Sequence, residues 1–344
     1  MNAQRKPTLV DVARQAQVAP SVVSRLLNSD PSLRIRPETR SRVLEVVDSL
    51  GYAPNHAGRA LRSARIGVLA LIIPELTNPV YADMRQGAEA AAREAGYLMF
   101  LANGDEVESH PDFYQRLVSE RRIDGILLQR SSLIDDEAFR RLANTELPTV
   151  FINSRIEGTC GSVILDDEAG MESAVNHLLS LGHHDIGLLA GPSSVDWAGR
   201  RRVGFVNALA RAGIAPRPEW LVPGGYDTNT GRAGMELLLQ NASLPTAAVV
   251  ANVIAAIGAL AAARERGVEV PRDLSLVAFH DTWFAAHTSP PLTAVKLPLY
   301  ELGSRAVSLL LGRMAGGAPS DERVLSPVPE LVLRGSTGTP RSAG

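Results

Sequence analysis

The sequence of 344 residues contains a single cysteine, Cys160, and no long uncharged apolar segment. One cysteine excludes an internal disulfide framework and fits a protein of the reducing cytoplasm. The apolar run at residues 66–74 has the length of a strand, and no apolar run in the sequence reaches the ~18 residues that a membrane span needs. The first ten residues, MNAQRKPTLV, are polar and charged, so we expect no secretory signal. A cytoplasmic protein without membrane contact is therefore predicted.

Sequence motifs that anchor catalysis, metals or nucleotides are also missing. The chain has no GxxxxGK phosphate loop, no GxGxxG fingerprint after a strand, no HExxH or CxxC spacing and no GxSxG nucleophile turn. The seven histidines are scattered, and the sequence offers Cys160 no credible base partner. The acids at 166–168 follow a predicted strand, where acidic side chains favour the start of a helix. We therefore expect no catalytic residues, no metal site and no cofactor.

Charge is unevenly distributed along the chain. Residues 1–62 carry ten Lys or Arg against five Asp or Glu, a net charge of +5, whereas the remaining 282 residues carry 25 basic and 32 acidic side chains, a net charge of −7. The composition, 45% hydrophobic and 21% charged, is that of a globular protein of two or three domains. A basic head on an acidic body predicts that the head alone binds a polyanion; a solvated charged surface is the alternative.

The basic head has the pattern of short helices joined by tight turns. Thr8 followed by Asp11 predicts a capping box that opens a first helix, and Pro20 suits the first position of a second helix because that position needs no N–H donor. Pro37 opens a third helix, which ends at Gly51. Two helices joined by a short turn and braced by a third predict a helix-turn-helix. The side chains expected to face its core are those of Leu9, Val12, Ala13, Ala16, Val23, Leu26, Leu27, Val43, Leu44, Val47 and Leu50.

From residue 66 onward, apolar strands alternate with amphipathic helices. Near-continuous apolar strands separated by helices predict parallel sheets that are buried on both faces, and hence an α/β body. In open parallel sheets, ligands bind outside the carboxyl ends of the strands. The predicted strands are IGVLALII, YLMFLAN, GILLQ, TVFIN, SVILD, DIGLLAG, AAVVAN, SLVAFHD and TAVKLP, and the clearest helices span 81–95, 168–181, 201–211 and 254–266.

The runs TLVDVARQAQVAPSVVSRLLN and RPETRSRVLEVVDSLGYAPN resemble the DNA-binding head of the lactose-repressor (LacI/GalR) family. The resemblance continues through HAGRALR and IGVLALIIPELTNPVYADMRQGAEAAAREAGY and covers nearly the whole chain. It implies an all-α helix-turn-helix domain at 1–53, a hinge helix and linker at 54–64, and a two-lobed body of periplasmic-binding-protein type I architecture at 65–340. Lobe 1 would comprise about 65–163 and 293–325, and lobe 2 about 164–292 and 326–340, with crossings near 163–166, 290–293 and 325–327.

The resemblance places the base-reading positions of the head at the start of its second helix. They fall on Pro20 and Ser21, and Arg25 lies one turn later, where an arginine can make a bidentate contact with guanine. Ser24 and Asn28 match positions that contact phosphate, and a role as plain caps and turn residues is the alternative. The candidate DNA-binding residues are Thr8, Pro20, Ser21, Val22, Ser24, Arg25, Asn28, Asn55, Gly58 and Leu61.

Two head residues depart from the family pattern. Ala19 stands where the family usually has a capping serine, and Val22 where it often has threonine, so two hydroxyls that could bind phosphate are absent. Arg34 and Arg36 replace part of that contact. We therefore expect an operator that differs from the best-known ones.

Residues 54–62, PNHAGRALR, resemble the hinge helix of the family. A helix this short is marginal in water, and by resemblance it folds when two copies meet in the minor groove at the centre of a palindrome. Leu61 is then an apolar wedge between base steps, and packing within a linker is the alternative. Gly58 replaces the usual alanine at a cost of about 1 kcal/mol in helix propensity, so the hinge is expected to depend strongly on DNA and on its dimer mate.

Strand ends and the family resemblance together nominate an effector pocket between the lobes. Arg201, in the segment RRRVGF, matches the effector-binding arginine of the family, and its guanidinium suits hydroxyls, carboxylate or phosphate. Trp197 either stacks on a sugar or a base, or packs at the rim between the lobes. The candidate pocket residues are Val80, Tyr81 and Asn153 from the first lobe, and Trp197, Arg201, Tyr226, Asn252, His280 and Asp281 from the second.

Three pocket positions depart from the family pattern. Asn252-Val253 replaces the usual Asn-Asp, His280-Asp281 replaces an Asp-Asp pair, and Asn153 replaces an aspartate. Three carboxylates that suit neutral sugar hydroxyls are thus missing, while arginine with histidine and asparagine suits an anion. The sequence therefore favours an acidic or phosphorylated effector, or an atypically bound one. A satisfied interior histidine at position 280 is the alternative.

These inferences converge on one function. We expect a cytoplasmic, homodimeric, sequence-specific DNA-binding transcriptional regulator, most simply a repressor. A small-molecule effector, a sugar or sugar derivative, would set its affinity for a palindromic operator in double-stranded DNA. A solute-binding protein of a transport system is the alternative, which the basic head and the polar first residues disfavour. An α/β enzyme is a third interpretation, which the missing catalytic motifs disfavour.

Overall fold

The computed structural model describes residues 7–27, 30, 32–52, 65–104, 110–131, 137, 139–140, 144–156 and 160–341. The chain forms two compact units, which divide after Ile66. The expected hinge at 54–64 lies outside the described residues, and so do four candidate DNA-binding residues, Asn28, Asn55, Gly58 and Leu61.

The first unit contains three helices in the order expected: α1 Leu9–Gln15, α2 Pro20–Leu27 and α3 Pro37–Ser49. The capping box is present, because the Asp11 N–H donates to the Thr8 hydroxyl at 3.3 Å and the Thr8 N–H donates to the Asp11 carboxylate at 2.9 Å. Gly51, which follows α3, has a φ of 57°, the left-handed conformation in which glycine ends helices. The prediction of a helix-turn-helix is confirmed.

A small apolar core holds the three head helices together. Val12, Val23 and Val43, one from each helix, are fully buried in it. The expectation that Leu44 faces this core is wrong, since its side chain is 43% exposed. Successive residues of a helix point about 100° apart, so with Val43 at the centre of the buried face Leu44 turns toward solvent, while Val46 packs on the core.

The first of two sheets in the second unit is parallel throughout. Its described strands are β1 Val68–Ile73, β2 Leu98–Asn103, β3 Gly125–Leu128, β4 Thr149–Ile152, β5 Ser162–Leu165 and β11 Asp321–Val324. They lie in the order β11-β5-β4-β3-β1-β2. The helices along the same parts of the chain are α4 Ala82–Glu94, α5 Pro111–Ser119 and α10 Leu299–Met314.

The second sheet is parallel except at one edge. Its strands are β6 Ile186–Ala190, β7 Leu221–Pro223, β8 Ala247–Val250, β9 Ser275–Phe279, β10 Thr293–Lys296 and β12 Glu330–Val332. They lie in the order β12-β10-β9-β8-β6-β7, with β12 antiparallel to β10. The accompanying helices are α6 Asp167–Ser180, α7 Asp196–Arg211, α8 Thr228–Leu239 and α9 Val253–Glu265.

The two central strands of each sheet have no exposed residue. Every residue of β3, β4, β8 and β9 is buried, as expected for apolar strands that are covered on both faces. The predicted α/β fold with two parallel sheets is therefore confirmed. Three short strands that were not predicted, β7, β11 and β12, complete the sheet edges.

The chain crosses between the sheets three times. It leaves the first sheet after Leu165, returns to it after Lys296 and leaves it again after Val324. The second crossing was expected near 290–293, but β10 pairs with β9 from Thr293 onward. Because backbone pairing decides to which sheet a strand belongs, the boundaries expected at 163 and 293 move to 165 and 296.

One close helix contact beside the first sheet depends on glycine. A Cβ at Gly303 of α10 would lie 2.0 Å from the carbonyl oxygen of Met84 in α4, whereas a Cβ at Gly312 of α10 would meet nothing within 4 Å. Gly303→Ala is expected to lower the free energy of unfolding by about 2–3 kcal/mol, because the two backbones must move apart. Gly312→Ala, the control, is expected to raise it by about 0.5–1 kcal/mol through helix propensity. Urea denaturation measures both; equal effects would contradict the packing argument.

Candidate functional site

A cavity lies between the two sheets, at the carboxyl ends of their strands. Ligands of open α/β sheets bind at such edges. Residues on the side of the first sheet that line it are Asn78, Val80, Tyr81, Met84, Gln129, Asn153, Leu299 and Leu302, and those on the side of the second are Trp197, Arg201, Tyr226, Asn252 and His280. The structure thus brings together eight of the nine pocket residues nominated from the sequence.

The ninth nominated residue, Asp281, does not belong to this lining. Its carboxylate accepts hydrogen bonds from both terminal nitrogens of Arg334, at 2.8 and 3.0 Å. Arg334 also donates to the carbonyl oxygen of Leu292 at 2.8 Å. Asp281 therefore anchors the segment that follows β12 instead of contributing a wall of the cavity.

Five lining residues were not nominated from the sequence. Gln129 directly follows β3, so the strand-end rule that nominated Asn153 would also have found it. Asn78 caps the 3-10 turn Pro79–Tyr81, with its Oδ1 accepting from the Val80 N–H at 3.0 Å. The remaining three are apolar helix residues that no sequence pattern separates from ordinary core positions: Met84, Leu299 and Leu302.

Arg201 of α7 is a buried member of the cavity wall, only 2% exposed. Its Nε donates to Oδ1 of Asp167 at 2.9 Å, its Nη1 to the Ala251 carbonyl at 2.8 Å, and its Nη2 to Nε2 of His280 at 2.9 Å. The guanidinium carbon also lies 4.2 Å from the ring centroid of Phe279, a cation–π distance. Three of the five N–H groups of a guanidinium are thus held by the protein itself, which fixes the orientation of this side chain.

Asp167, the first residue of α6, links Arg201 to its neighbour Arg200. Asp167 is fully buried, and its Oδ2 accepts from Nε and Nη2 of Arg200 at 3.1 and 2.8 Å. Arg200 also donates to Asp196, and at 3.2 Å to Oδ1 of Asn153 on the side of the first sheet. Burial alone would lower the pKa of Arg200, but the two carboxylates outweigh it and raise that pKa. The formal charges of two arginines and two aspartates cancel in this cluster, in which Arg201 is the member that lines the cavity.

The tautomer of His280 follows from its contact with Arg201. A guanidinium has no acceptor and stays protonated, so Nε2 of His280 accepts and the ring proton resides on Nδ1. Burial, and then the charge of Arg201, lowers the pKa of His280 well below its usual value, which keeps the ring neutral. The Nδ1–H is buried and meets no hydrogen-bond partner within the described part of the chain.

Two cavity residues have a left-handed backbone conformation. Asn153 has a φ of 48° and His280 a φ of 70°. Residues other than glycine rarely adopt this region, although asparagine and histidine do so more often than most. Each residue directly follows a strand, β4 or β9. Backbone strain of this kind clusters at ligand sites, and here it turns the chain at two strand ends that meet at the cavity.

Trp197 and Tyr226 form an aromatic wall of the cavity. Their ring centroids lie 6.4 Å apart with planes inclined by 22°, and Trp197 is only 5% exposed. Burial raises the pKa of Tyr226 to about 12, despite the opposing influence of Arg201 and of the Trp197 indole. The Tyr226 hydroxyl is buried and meets no hydrogen-bond partner of ordinary geometry among the described residues. A Cβ at Gly191 would lie 2.3 Å from this hydroxyl, so the ring fits only beside a glycine.

In the head, α2 presents polar side chains on the face opposite its core. Val23 and Leu26 are buried, and the side chains turned outward include those expected to contact DNA. Thr8 uses its hydroxyl within the capping box, where it donates to Asp11 at 2.6 Å. The described candidates on α2 are the exposed Pro20, Ser21 and Arg25 and the half-buried Val22 and Ser24.

Arg25 is held by the segment that follows α2. Its Nε donates to Oδ2 of Asp30 at 2.8 Å and its Nη2 to the Ser32 hydroxyl at 2.8 Å. Hydrogen bonds from Ser32 and from Arg25 lower the pKa of Asp30 to about 2, so this carboxylate is charged at neutral pH. Sequence reasoning did not foresee this pair, which occupies the guanidinium that was expected to read a base.

Both compact units of the chain match known protein families. Residues 8–55 match the sequence profile of bacterial regulatory proteins of the lacI family, and residues 175–337 match that of a periplasmic binding protein-like domain. The HTH-type transcriptional repressor CytR of Escherichia coli (strain K12) is 32% identical over 333 residues, which is 96% of this chain and 96% of CytR. The chain belongs to the LacI family. The resemblance seen in the sequence is thereby confirmed.

Solved structures of the lac repressor and of another transcriptional regulator have the same fold. The lac repressor dimer bound to operator and the anti-inducer ONPF is 27% identical, with a TM-score of 0.81 over 97% of this chain and 100% of its own. The complex of the transcriptional regulator CelR with cellobiose is 29% identical, with a TM-score of 0.72 over 96% of this chain and 99% of its own. This LacI-family chain is therefore a helix-turn-helix transcriptional regulator with a periplasmic-binding-protein-like body, as expected.

Neither a membrane segment nor a metal cluster is found in the part of this LacI-family chain that the structure describes. No described helix combines the length and the apolar character that crossing a membrane requires. Among the same residues, no three His, Cys, Asp or Glu side chains are grouped so that they could hold a metal ion. Cys160 is half-buried.

Proposed function

We propose that this LacI-family regulator is a repressor whose affinity for DNA is set by a small molecule bound between the two sheets of its body. The observation that carries the proposal is the cavity, which is lined from both sheets and contains buried polar atoms without partners in the described residues. A ligand that contacts both sides shifts the balance between open and closed arrangements by its difference in affinity for them. In support, CelR has been solved with cellobiose, and the lac repressor dimer with operator and an anti-inducer.

The DNA side of the proposal rests on the helix-turn-helix domain, residues 1–53. Helix α2 would enter the major groove, with Pro20, Ser21 and Arg25 toward the bases and Ser24 toward phosphate. Residues 54–64 would serve as the hinge that reaches the minor groove in a homodimer. Two identical heads related by a two-fold axis read inverted half-sites, which calls for a palindromic operator. The remaining proposed contacts are Thr8, Val22, Asn28, Asn55, Gly58 and Leu61.

The effector side rests on the lining of the cavity. Apolar and aromatic side chains line the cavity together with polar ones, as is typical of small-molecule sites. Trp197 and Tyr226 offer aromatic surface to the apolar face of a sugar ring. Asn252 caps α9 through its Oδ1, at 2.7 Å from the Ile254 N–H, which leaves its amide nitrogen as a donor. We therefore assign the effector to the sugars and their derivatives, with Arg201, Val80, Tyr81, Asn153 and His280 as further contacts.

The alternatives are less well supported. A solute-binding protein for transport would share the two-sheet body but has no use for a helix-turn-helix, and the relatives are transcriptional regulators. A regulator binds its effector without turnover, so we propose that the protein is not an enzyme and that it works in the cytoplasm, where its operator is. Recovery of the effector unchanged after long incubation with the protein would agree with this, whereas a new product would contradict it.

Selection of bound duplexes from a random DNA pool tests the proposed function. The purified full chain at modest salt is expected to enrich a palindrome with two half-sites and to lose affinity for it when a sugar effector is added. The proposal fails if no sequence is preferred over bulk genomic competitor DNA. A single, non-palindromic half-site would contradict the homodimer.

Replacing Asp30 with asparagine is expected to strengthen binding to the selected operator by about threefold to tenfold at low salt. The Asp30 carboxylate holds Arg25 and repels phosphate, so its loss releases the guanidinium and removes one unfavourable charge. Asp48→Asn is the matched control, since it removes the same charge from an exposed site on α3. Fluorescence anisotropy with labelled operator measures both variants. An Asp30→Asn effect no larger than that of the control would show that the contact with Arg25 is irrelevant to binding.

A further inference from the structure

The cavity contains an unusual concentration of buried polar atoms without partners. Of the five side-chain atoms of this kind in the described residues, three belong to residues that line it: Nδ1 of His280, Oε1 of Gln129 and the Tyr226 hydroxyl. Leaving one such atom unpaired costs about 1–3 kcal/mol, and more than about 90% of buried polar groups in folded proteins are paired. Three of them in one cavity indicate a bound molecule that pairs with all three.

These three atoms differ in what they offer to a ligand. Nδ1 of His280 carries the ring proton, because Nε2 accepts from Arg201, so it can only donate. Oε1 of Gln129 can only accept, while the Tyr226 hydroxyl can do either. Gln129 is 3% exposed and His280 5% exposed, so an unpaired polar atom in either side chain is costly. The complementary molecule must therefore both accept and donate hydrogen bonds.

The charges around the cavity do not favour an anion. Arg201 is neutralised by Asp167 at 2.9 Å, and Arg200 by Asp167 at 2.8 Å and by Asp196. An ionised ligand would lose its hydration here without meeting a net opposite charge, which is unfavourable in a buried site. Its oxygens would also face the acceptor of Gln129. Three carboxylates of the family pattern are missing, but Asp167 and Asp196, which do not line the cavity themselves, balance the charges of Arg200 and Arg201.

We infer that the effector is an uncharged, hydroxyl-bearing molecule, and that His280 and Gln129 select it as a fixed donor and a fixed acceptor. This inference rests on the proposed function and names the ligand chemistry of the same site. A carboxylate, which often stands at the position of His280 in the family pattern, accepts from the hydrogen of a ligand hydroxyl. The Nδ1–H of His280 instead donates to the oxygen of that hydroxyl. Because a donor stands where the family often has an acceptor, His280 determines which arrangement of ligand hydroxyls the cavity binds.

Nitrogen-15 NMR of the ligand-free full chain tests the donor role of His280 directly. The ring is expected to show a protonated Nδ1 and an unprotonated Nε2 at neutral pH. His280→Asn assigns the resonances, because they disappear in that variant. An Nε2–H tautomer, or a ring with both nitrogens protonated, would overturn the inference without any ligand being known.

Titration calorimetry tests the class of ligand with paired probes. The uncharged probes are cellobiose, glucose and a panel of other mono- and disaccharides, and the charged probes include glucose 6-phosphate and gluconate. We expect at least one uncharged sugar to bind, and its phosphorylated or carboxylate counterpart to bind at least tenfold more weakly. Tighter binding of a charged probe, or binding of no uncharged sugar, would overturn the inference.

Substitutions of His280 test its selective role with the best uncharged probe. His280→Asp replaces a donor by an acceptor and is expected to weaken binding tenfold or more, while His280→Gln retains an amide donor and should recover most of the affinity. Equal affinity of both variants and the parent chain would refute the role. The proposed function and this inference can fail independently. A protein that a sugar phosphate releases from its selected operator would still be a ligand-controlled repressor, but its ligand would not be the uncharged one inferred here.

Discussion

An Asp167→Asn variant is expected to unfold with a free energy about 3–5 kcal/mol lower than that of the parent chain. The substitution preserves the size of the side chain but removes the carboxylate that Arg200 and Arg201 share, at 2.8 and 2.9 Å. The two arginine side chains are 12% and 2% exposed, so water cannot replace the lost negative charge. Chemical denaturation of the full chain, followed by circular dichroism, measures the change.

Glu265→Gln provides the control for this experiment. Glu265 pairs with Arg232, but its side chain is 60% exposed, and exposed ion pairs contribute little to stability. We expect the denaturation midpoint of this variant to match that of the parent. An Asp167→Asn variant with the midpoint of the parent would show that Asp167 does not supply the negative charge that balances Arg201. The inference of an uncharged ligand would then lose its electrostatic basis.

Replacing Arg25 with alanine is expected to weaken binding to the selected operator by about 30-fold or more and to relax the preference at one base pair in each half-site. A bidentate contact between arginine and guanine discriminates by about 1–3 kcal/mol, and a dimer on a palindrome makes the contact twice. In the parent chain, Arg25 must leave Asp30 before it contacts a base. The cost of breaking that contact reduces the binding free energy that the base contact contributes. Competition binding with operators mutated at single positions measures the loss and locates it.

Arg34→Ala distinguishes base reading from simple attraction to phosphate. Arg34 is exposed in the head and was nominated from the sequence as a phosphate contact. Its loss is expected to weaken binding to all duplexes alike and to reduce the salt dependence by about one unit of slope per head. If Arg25→Ala behaved in the same way on operator and on unrelated DNA, Arg25 would be a phosphate contact and the assignment of the recognition helix would need revision.

Local signals in the sequence predicted the head well because each of them acts within one turn of helix. Thr8 with Asp11, and the prolines at 20 and 37, determine where helices begin irrespective of what lies elsewhere in the chain. The wrong prediction for Leu44 shows the limit of reasoning from neighbouring residues. An apolar residue beside a buried one was assigned to the core, although the helical rotation between neighbours turns it toward solvent.

The outline of the cavity could also be predicted, whereas its electrostatics could not. Strand ends nominate pocket residues through topology, a rule that holds without knowledge of any side-chain contact. The pairing of Asp167 with Arg201 joins residues 34 positions apart that meet only when α6 and α7 pack together. Asp167 was therefore interpreted as an acid at a helix start, which it also is. The salt bridge between Arg25 and Asp30 was missed for the same reason, since it depends on how the chain folds after α2.

The three crossings between the sheets have a consequence for how this body can be divided. The first sheet contains β11, and both this strand and the neighbouring helix α10 come from the chain beyond residue 298. The second sheet contains the edge strand β12, which comes from beyond residue 329. No single cut yields a complete sheet, so a product truncated before α10 lacks a helix and a strand of its first half. A chimera that exchanges one half with a relative needs three breakpoints, at about 165, 297 and 326. Recombination at one point within the body therefore gives a protein in which at least one sheet combines strands from both parents.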